Sequence, residues 1–252
     1  MMDLSEYRVS PSEQTRTRDL LNLTPREGRR ALDIGARDGH FSLLLAERFD
    51  DVIALDLTKP TIAHPKVVCV QGNAASLDFA DNSIDFVFCA EVLEHIPRTI
   101  LTKVCHELER VCRRELLIGV PYKQDLRVGR TTCYSCGGKN PPWGHVNSFD
   151  EDRLRSLFQR CVVKSITFVG QTSDATNALS AALMDLAGNP YGTYSQEESC
   201  IHCGRSLTAP PDRTLNQKML TKLGFIARRA TSVFARPRAN WMHMLLAKEI
   251  AV

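Results

Sequence analysis

Short apolar runs alternate with amphipathic stretches through the first half of the chain. The runs are Ala31-Leu32-Asp33-Ile34, Val52-Ile53-Ala54-Leu55, Val67-Val68-Cys69-Val70, Ile84-Asp85-Phe86-Val87-Phe88-Cys89 and Glu115-Leu116-Leu117-Ile118-Gly119-Val120. Near-continuous apolarity over so few residues predicts strands buried on both faces. His40 to Phe49 and Thr99 to Cys112 read as intervening helices, and such alternation specifies a parallel sheet with helices on both faces. Upstream, Ser10-Pro11-Ser12-Glu13 is a capping box with proline at the first helical position, which predicts a helix to about Leu21. Beyond Pro121 the pattern changes. Residues 122–147 are polar and glycine-rich, too long for an idle connection in a compact domain. A second capping box, Ser148-Phe149-Asp150-Glu151, predicts a helix to about Gln159. Val162 to Val169 then reads as a sixth strand, Asn177 to Leu186 as a helix, Thr214 to Ala235 as a basic helix, and Trp241 to Ala247 as the last strand.

The first strand runs into Asp33-Ile34-Gly35-Ala36-Arg37-Asp38-Gly39, a tight turn at a helix N-terminus, where an α/β sheet receives a nucleotide-like ligand. A dinucleotide fingerprint would need glycines at Arg37 and His40, and a phosphate loop would need Gly-Lys-Ser/Thr; neither is present. The second strand ends in Asp56, and the order strand, glycine loop, helix, strand, acid places a carboxylate at a ribose. An acid facing solvent at a strand end is the alternative.

The acid two residues before Gly35 resembles motif I of class I S-adenosylmethionine-dependent methyltransferases, although that family usually carries a third glycine where this chain has Arg37. Gln71-Gly72-Asn73-Ala74-Ala75-Ser76-Leu77-Asp78-Phe79 is similar to the family's Gly-Asp-Ala…Leu-Pro-Phe segment, with Asn73 in the acid's place. Ala90-Glu91-Val92-Leu93-Glu94-His95-Ile96-Pro97 resembles its Asp-x-Val…Leu-Glu-His-Ile/Val segment. The resemblance spans roughly residues 28–121 and is of the methyltransferase type 11 kind. It implies a Rossmann-like seven-stranded, mostly parallel sheet whose seventh strand is antiparallel. It also implies S-adenosylmethionine as cofactor, bound by Asp33, Gly35, Arg37, Gly39, Asp56, Leu57, Asn73, Ala74 and Ala90, with Asn73 and the Ala74 amide near the adenine.

Cys133-Tyr134-Ser135-Cys136-Gly137 and Cys200-Ile201-His202-Cys203-Gly204 are two Cys-x-x-Cys-Gly units. Each can fold as a knuckle whose amides face the thiolates, and four thiolates fit closed, tetrahedral, structural zinc. A redox pair would usually occur once, at a helix start; iron, or two unrelated pairs, are the alternatives. His202 reads as a bystander. In the implied sheet, the connections after strand five and between strands six and seven leave from the ligand-binding edge. Zinc on Cys133, Cys136, Cys200 and Cys203 is therefore expected to clamp two insertions, 122–147 and 187–213, into a zinc-knuckle lid over or beside the substrate pocket. A remote staple is the other reading.

Composition narrows this further. The chain has 252 residues, 43% of them apolar, and a formal charge of +3, which argues for no partner by itself. Nine cysteines, with Cys69 and Cys89 inside apolar runs, argue against a secreted disulfide framework. No membrane-spanning apolar run and no signal-peptide pattern is present, so the expectation is a cytoplasmic protein. A single domain over 1–252 is expected, with 1–28 as a helical cover and 29–121 as the cofactor-binding core. Methyl transfer needs the acceptor held near the methyl group and water excluded. A base helps if the acceptor is a hydroxyl. His145, in Trp143-Gly144-His145-Val146-Asn147, is read as a base or a loop lock; His95 and Glu91 are the other catalytic candidates. His40, His64, His106 and His243 carry no functional reading. The C-terminal region is basic. Leu220, Leu223, Ile226, Ala227, Ala230 and Phe234 form a helical stripe that should put the charges on the other side. That surface could meet an anionic substrate, RNA or a membrane surface, with scarce aromatics arguing against RNA. The expected activity is S-adenosylmethionine-dependent methylation of an oxygen or nitrogen on a small-molecule or glycan- or lipid-linked biosynthetic intermediate. The alternatives are an RNA or protein methyltransferase, or a non-catalytic zinc-stabilised scaffold.

Overall fold

The computed structural model of the protein describes residues 5–232 and 236–249. The chain divides into two compact units. The sheet unit comprises Tyr7–Tyr122, Phe149–Gly170 and the last strand; the cysteine unit is built mainly from Lys123–Ser148 and Gln171–Arg238.

In the sheet unit, a short helix α1 (Ser5–Arg8) begins just before the unit and leads to α2 (Pro11–Leu23). There follow β1 (Gly28–Ile34), α3 (His40–Ala46), β2 (Phe49–Asp56), β3 (Val67–Gln71), β4 (Ile84–Ala90), α4 (Arg98–Val111) and β5 (Cys112–Pro121). The short β6 (Thr131–Thr132) and β7 (Lys139–Asn140) belong to the cysteine unit. The sheet unit resumes with α5 (Glu151–Ser156) and β8 (Cys161–Val169). After α6 (Ala178–Leu186) and α7 (Leu215–Ser232) of the cysteine unit, β9 (Trp241–Lys248) returns to the sheet.

The seven strands lie in the order β3-β2-β1-β4-β5-β9-β8, with β9 antiparallel to both neighbours and the other pairs parallel. This is the expected sheet, including its antiparallel last strand. Strand alternation divides the core. Leu32, Ile34, Val87, Cys89, Leu116 and Ile118 pack under α4 and α5 through Leu101, Val104, Leu108, Leu154 and Phe158. Ala31, Phe86, Phe88 and Leu117 face the other way, against Leu20 of α2 and Phe41 and Leu45 of α3.

Several boundaries differ from expectation for local reasons. Helix α3 stops at Ala46 because Phe49 already belongs to β2, where its ring stacks on Phe86 with centroids 5.4 Å apart. Ser10 caps α2 as expected, accepting the Glu13 N–H at 3.3 Å, but the Glu13 side chain turns inward rather than completing the box. The second capping box is displaced: Asp150, not Ser148, caps α5, accepting the Arg153 N–H at 2.9 Å.

In the cysteine unit β6 and β7 form an antiparallel hairpin with Cys133 to Gly138 at its tip. Helices α6 and α7 pack through small residues: Ser180 Oγ donates to the Gly224 carbonyl and Asn177 Nδ2 to that of Ala227, both at 2.8 Å. The expected inward stripe of α7 is corrected by this contact. Leu220 and Ala227 are half-buried, while Leu223 and Ile226 are exposed, because Thr221 and Gly224 occupy the packed face. The Ala230 side chain, Phe234 and the expected helix end at Ala235 lie outside the described residues.

Candidate active site and metal centre

Strands β1, β2 and β4 end at one edge of the sheet, and the glycine loop is the first turn there. The amides of Gly35 and Ala36 donate to the Leu55 carbonyl at 2.8 and 3.1 Å, joining the loop to β2. Gly35 and Gly39 hold φ of 75° and 81°. A Cβ on Gly35 would lie 2.5 Å from Val92 Cγ2, so no side chain fits that turn. Arg37 adopts φ 43° without being glycine. Its N–H donates to Asp56 Oδ2 at 3.0 Å, which ties this turn to the end of β2. Asp33 is buried beneath the loop and accepts the Ser42 hydroxyl at 2.6 Å. Burial, then the charges of Asp56 and Asp38, push its carboxyl up to about 7.

Asp56 also accepts the Thr58 N–H at 3.4 Å, and its carbonyl accepts the Gly72 N–H at 2.9 Å. The Asn73–Ala75 turn is thereby tied to the end of β2. Asn73 Oδ1 accepts the Ala75 N–H at 2.9 Å; Ala74 is buried, and Leu57, next to Asp56, is exposed. Asp33 and Asp56 at the ends of β1 and β2 thus share this edge with Gly35, Arg37 and Gly39 on the first loop and Leu57, Asn73 and Ala74 on the next ones, with Ala90 at the neighbouring end of β4.

Glu91 follows β4 with φ 58°, and its N–H donates to the Gly119 carbonyl at 2.9 Å. Trp241 Nε1–H donates to Glu91 Oε2 at 3.3 Å. Glu91 Oε1 faces Arg16 Nη1 across 4.0 Å, and neither atom has a hydrogen-bond partner among the described residues. Burial raises the Glu91 carboxyl, against the pull of Arg16. Arg16 is held by Glu13 through bonds of 2.7 and 2.8 Å and lies over the Phe41 and Trp241 rings. Glu94 is fully buried, and among the described residues neither carboxyl oxygen has a hydrogen-bond partner; burial, then Glu91, push it well above the usual carboxylate range. His95 goes the other way, lowered to about 4 by burial and then by the Arg37 charge. Sequence reading missed Glu13, Arg16 and Glu94. A signal existed for two of them: residues 13, 16 and 20 share a helical face, so Glu13 and Arg16 had to go inside with Leu20.

In the cysteine unit the two Cys-x-x-Cys-Gly segments take the same turn. Gly137 and Gly204 N–H donate to the Cys133 and Cys200 carbonyls at 2.7 and 2.8 Å. The Cys133 and Cys200 amides donate to Gly138 and Arg205, both at 2.8 Å. Gly137 and Gly204 hold φ of 74° and 70°. The four sulfurs lie within 4.8 Å of one another, with Cys133–Cys203 and Cys136–Cys200 both at 3.7 Å. Tetrahedral zinc with thiolates at about 2.3 Å requires sulfur separations of roughly 3.8 Å, so this donor set fits that ion. Although burial raises it, the amides of Ser135 and Cys136 hold the Cys133 thiol down to about 6. His202 is more than a bystander: its Nε2–H donates to the Lys139 carbonyl at 2.9 Å, joining one knuckle to the other's hairpin. Asn140 Oδ1 does the same by accepting the Ile201 N–H at 2.9 Å. His145 is buried after a turn at Pro142–Gly144, and its Nδ1–H donates to Gln124 Oε1 at 2.6 Å.

The sheet order and the loops at its edge define a Rossmann-like fold. In agreement, residues 32–117 match the family model described as a methyltransferase domain. A probable S-adenosylmethionine-dependent methyltransferase of Mycobacterium tuberculosis is 31% identical over 143 residues, 54% of this chain and 49% of that protein. The chain thus spans half or less of the length of the curated relatives it matches first. Among solved structures, a SAM-dependent methyltransferase from Archaeoglobus fulgidus superposes with a TM-score of 0.53 at 14% identity, covering 97% of both chains. The N-methyltransferase NodS from Bradyrhizobium japonicum, solved with S-adenosyl-L-homocysteine, gives 0.51 at 18% identity over 68% of this chain and 87% of that one.

Proposed function

We propose that the protein is an S-adenosylmethionine-dependent methyltransferase whose acceptor is an oxygen or nitrogen of a small-molecule or glycan- or lipid-linked biosynthetic intermediate. The observation that carries this reading is the glycine loop closed on the acid at the end of β2: Arg37, at φ 43°, gives its amide to Asp56 Oδ2 at 3.0 Å. Asp56 is the ribose acceptor in this reading, Gly35 and Gly39 admit the ligand to the backbone, and the Asn73–Ala74 turn borders the adenine. The cofactor supplies a sulfonium-activated methyl group. The chain's own part is to orient the acceptor and take up its proton. Glu91 suits both roles, because it follows β4 at the ligand edge and its carboxyl is raised by burial, which makes it a stronger base than an exposed carboxylate. His95, lowered to about 4, is neutral at pH 7 and a weak base, so it positions rather than deprotonates. In His145 the Nδ1 proton is fixed by Gln124, which makes Nε2 the basic nitrogen; His145→Ala lowers turnover more than cofactor affinity if it is the base.

Four thiolates leave no open coordination position, so the proposed zinc is structural and staples the two insertions to each other.

Calorimetric titration with S-adenosylmethionine and S-adenosylhomocysteine, with NADH as control, tests the assignment. Micromolar binding of the first two alone is expected, weakened by Asp56→Ala with the fold retained. Absence of binding to both would replace the enzyme with a scaffold that kept only the fold.

A further inference from the structure

Among the described residues, helix α7 is packed on one side only. Thr221 and Gly224 are buried against α6, with Leu220, Ala227 and Arg228 half-buried beside them. On the outer side Leu215, Met219, Leu223 and Ile226 are exposed by 83%, 57%, 46% and 66%. Steps of four, four and three residues align them along one line of the helix, roughly 16 Å long at 1.5 Å per residue. Lys218, Lys222 and Arg229, all exposed, run along one flank of that line, and the helix contains no acidic residue. On α6, Leu179, Ala182 and Leu186 are likewise exposed at helical spacing.

A water-facing line of four large apolar side chains needs a partner that is apolar and also tolerates three cations. A second copy of the chain would set cations against cations, with no acid on the helix to answer them. Folded protein partners disfavour lysine at the centre of an interface. Nucleic acid offers the charge but not the hydrocarbon. An anionic bilayer surface offers both, with acyl chains for the leucines and headgroup phosphates for cations that reach upward on long stems.

We propose that α7 lies in the headgroup layer of an anionic membrane, with Leu215, Met219, Leu223 and Ile226 turned into it and Lys218, Lys222 and Arg229 on the phosphates. This surface is independent of the methyl-transfer reading. Flotation with vesicles of phosphatidylcholine alone, and of phosphatidylcholine mixed with phosphatidylglycerol, tests it. The protein is expected to float with the mixed vesicles only, and less so at high salt. Replacing Lys218, Lys222 and Arg229 by alanine lowers the partition coefficient about fivefold per cation removed. The triple change Leu215→Ser, Met219→Ser and Ile226→Ser abolishes flotation while the circular-dichroism melt is unchanged, since all three side chains are exposed. Flotation that survives this change, or no flotation of the unaltered protein, overturns the proposal. So does a dimer in light scattering that the serine changes convert to monomer without any vesicle binding.

Discussion

Arg37 holds a left-handed backbone that costs a non-glycine residue roughly 1–2 kcal/mol, and the amide it presents to Asp56 offsets part of that cost. Asp33 is a different case, legible in sequence as an acid before the glycine but not as a buried one. Its carboxyl, raised to about 7, favours the protonated form in the folded state. Its stabilising contribution is therefore complete below the unfolded value of about 4 and is lost as pH rises towards 7, by roughly 1.4 kcal/mol per pH unit. Asp33→Asn keeps an acceptor for Ser42 and removes the titration. Urea unfolding at pH 5 and pH 7.5 should show a marked loss of stability in the native protein and little in the variant; equal pH dependence would mean that Asp33 ionises freely. Nothing in the local sequence separates Asp33 from Asp56 in this respect. Strand alternation turns the first under α3, whereas the second lies at the very end of its strand.

At the level of elements, α2 shows how a helix predicted from its cap acquires a second role. Glu13 supports the first turn by its charge, yet its side chain joins Arg16 in a buried pair facing Glu91. Removing one member strands the other: Arg16→Leu should cost about 3–5 kcal/mol in chemical unfolding, and adding Glu13→Leu should recover part of it. A loss below about 1 kcal/mol, a scale set by exposed pairs, would show that water reaches the pair. The existence of α2 and its start were readable from Ser10-Pro11, because capping chemistry is local. Its inward charges were not, because the group they answer, Glu91, lies far along the chain. The same limit reversed α7, whose packed face is set by close approach of Gly224 and Thr221 to α6 and not by its largest apolar residues.

For the whole molecule, the two units predict separable responses. Purified protein should carry about one zinc per chain. Cys200→Ser, or removal of the metal by a strong chelator, should open Lys123–Ser148 and Gln171–Arg238 to limited proteolysis while the sheet unit stays resistant. Metal-free protein equally resistant throughout would remove the structural role of the four thiolates. The sequence by itself determined the seven strands of the main sheet, the parallel run of the first five, the glycine loop with Asp56, and the paired spacing of the cysteines. These follow from periodicity and short-range spacing, which are written in consecutive residues. Tertiary structure decided which acids are buried, that Arg16 and Glu91 face each other, that the sulfurs converge within 4.8 Å, and that α7 presents leucines outward. Each of these depends on residues distant in sequence meeting in a low-dielectric interior or failing to meet at all. No local pattern encodes that.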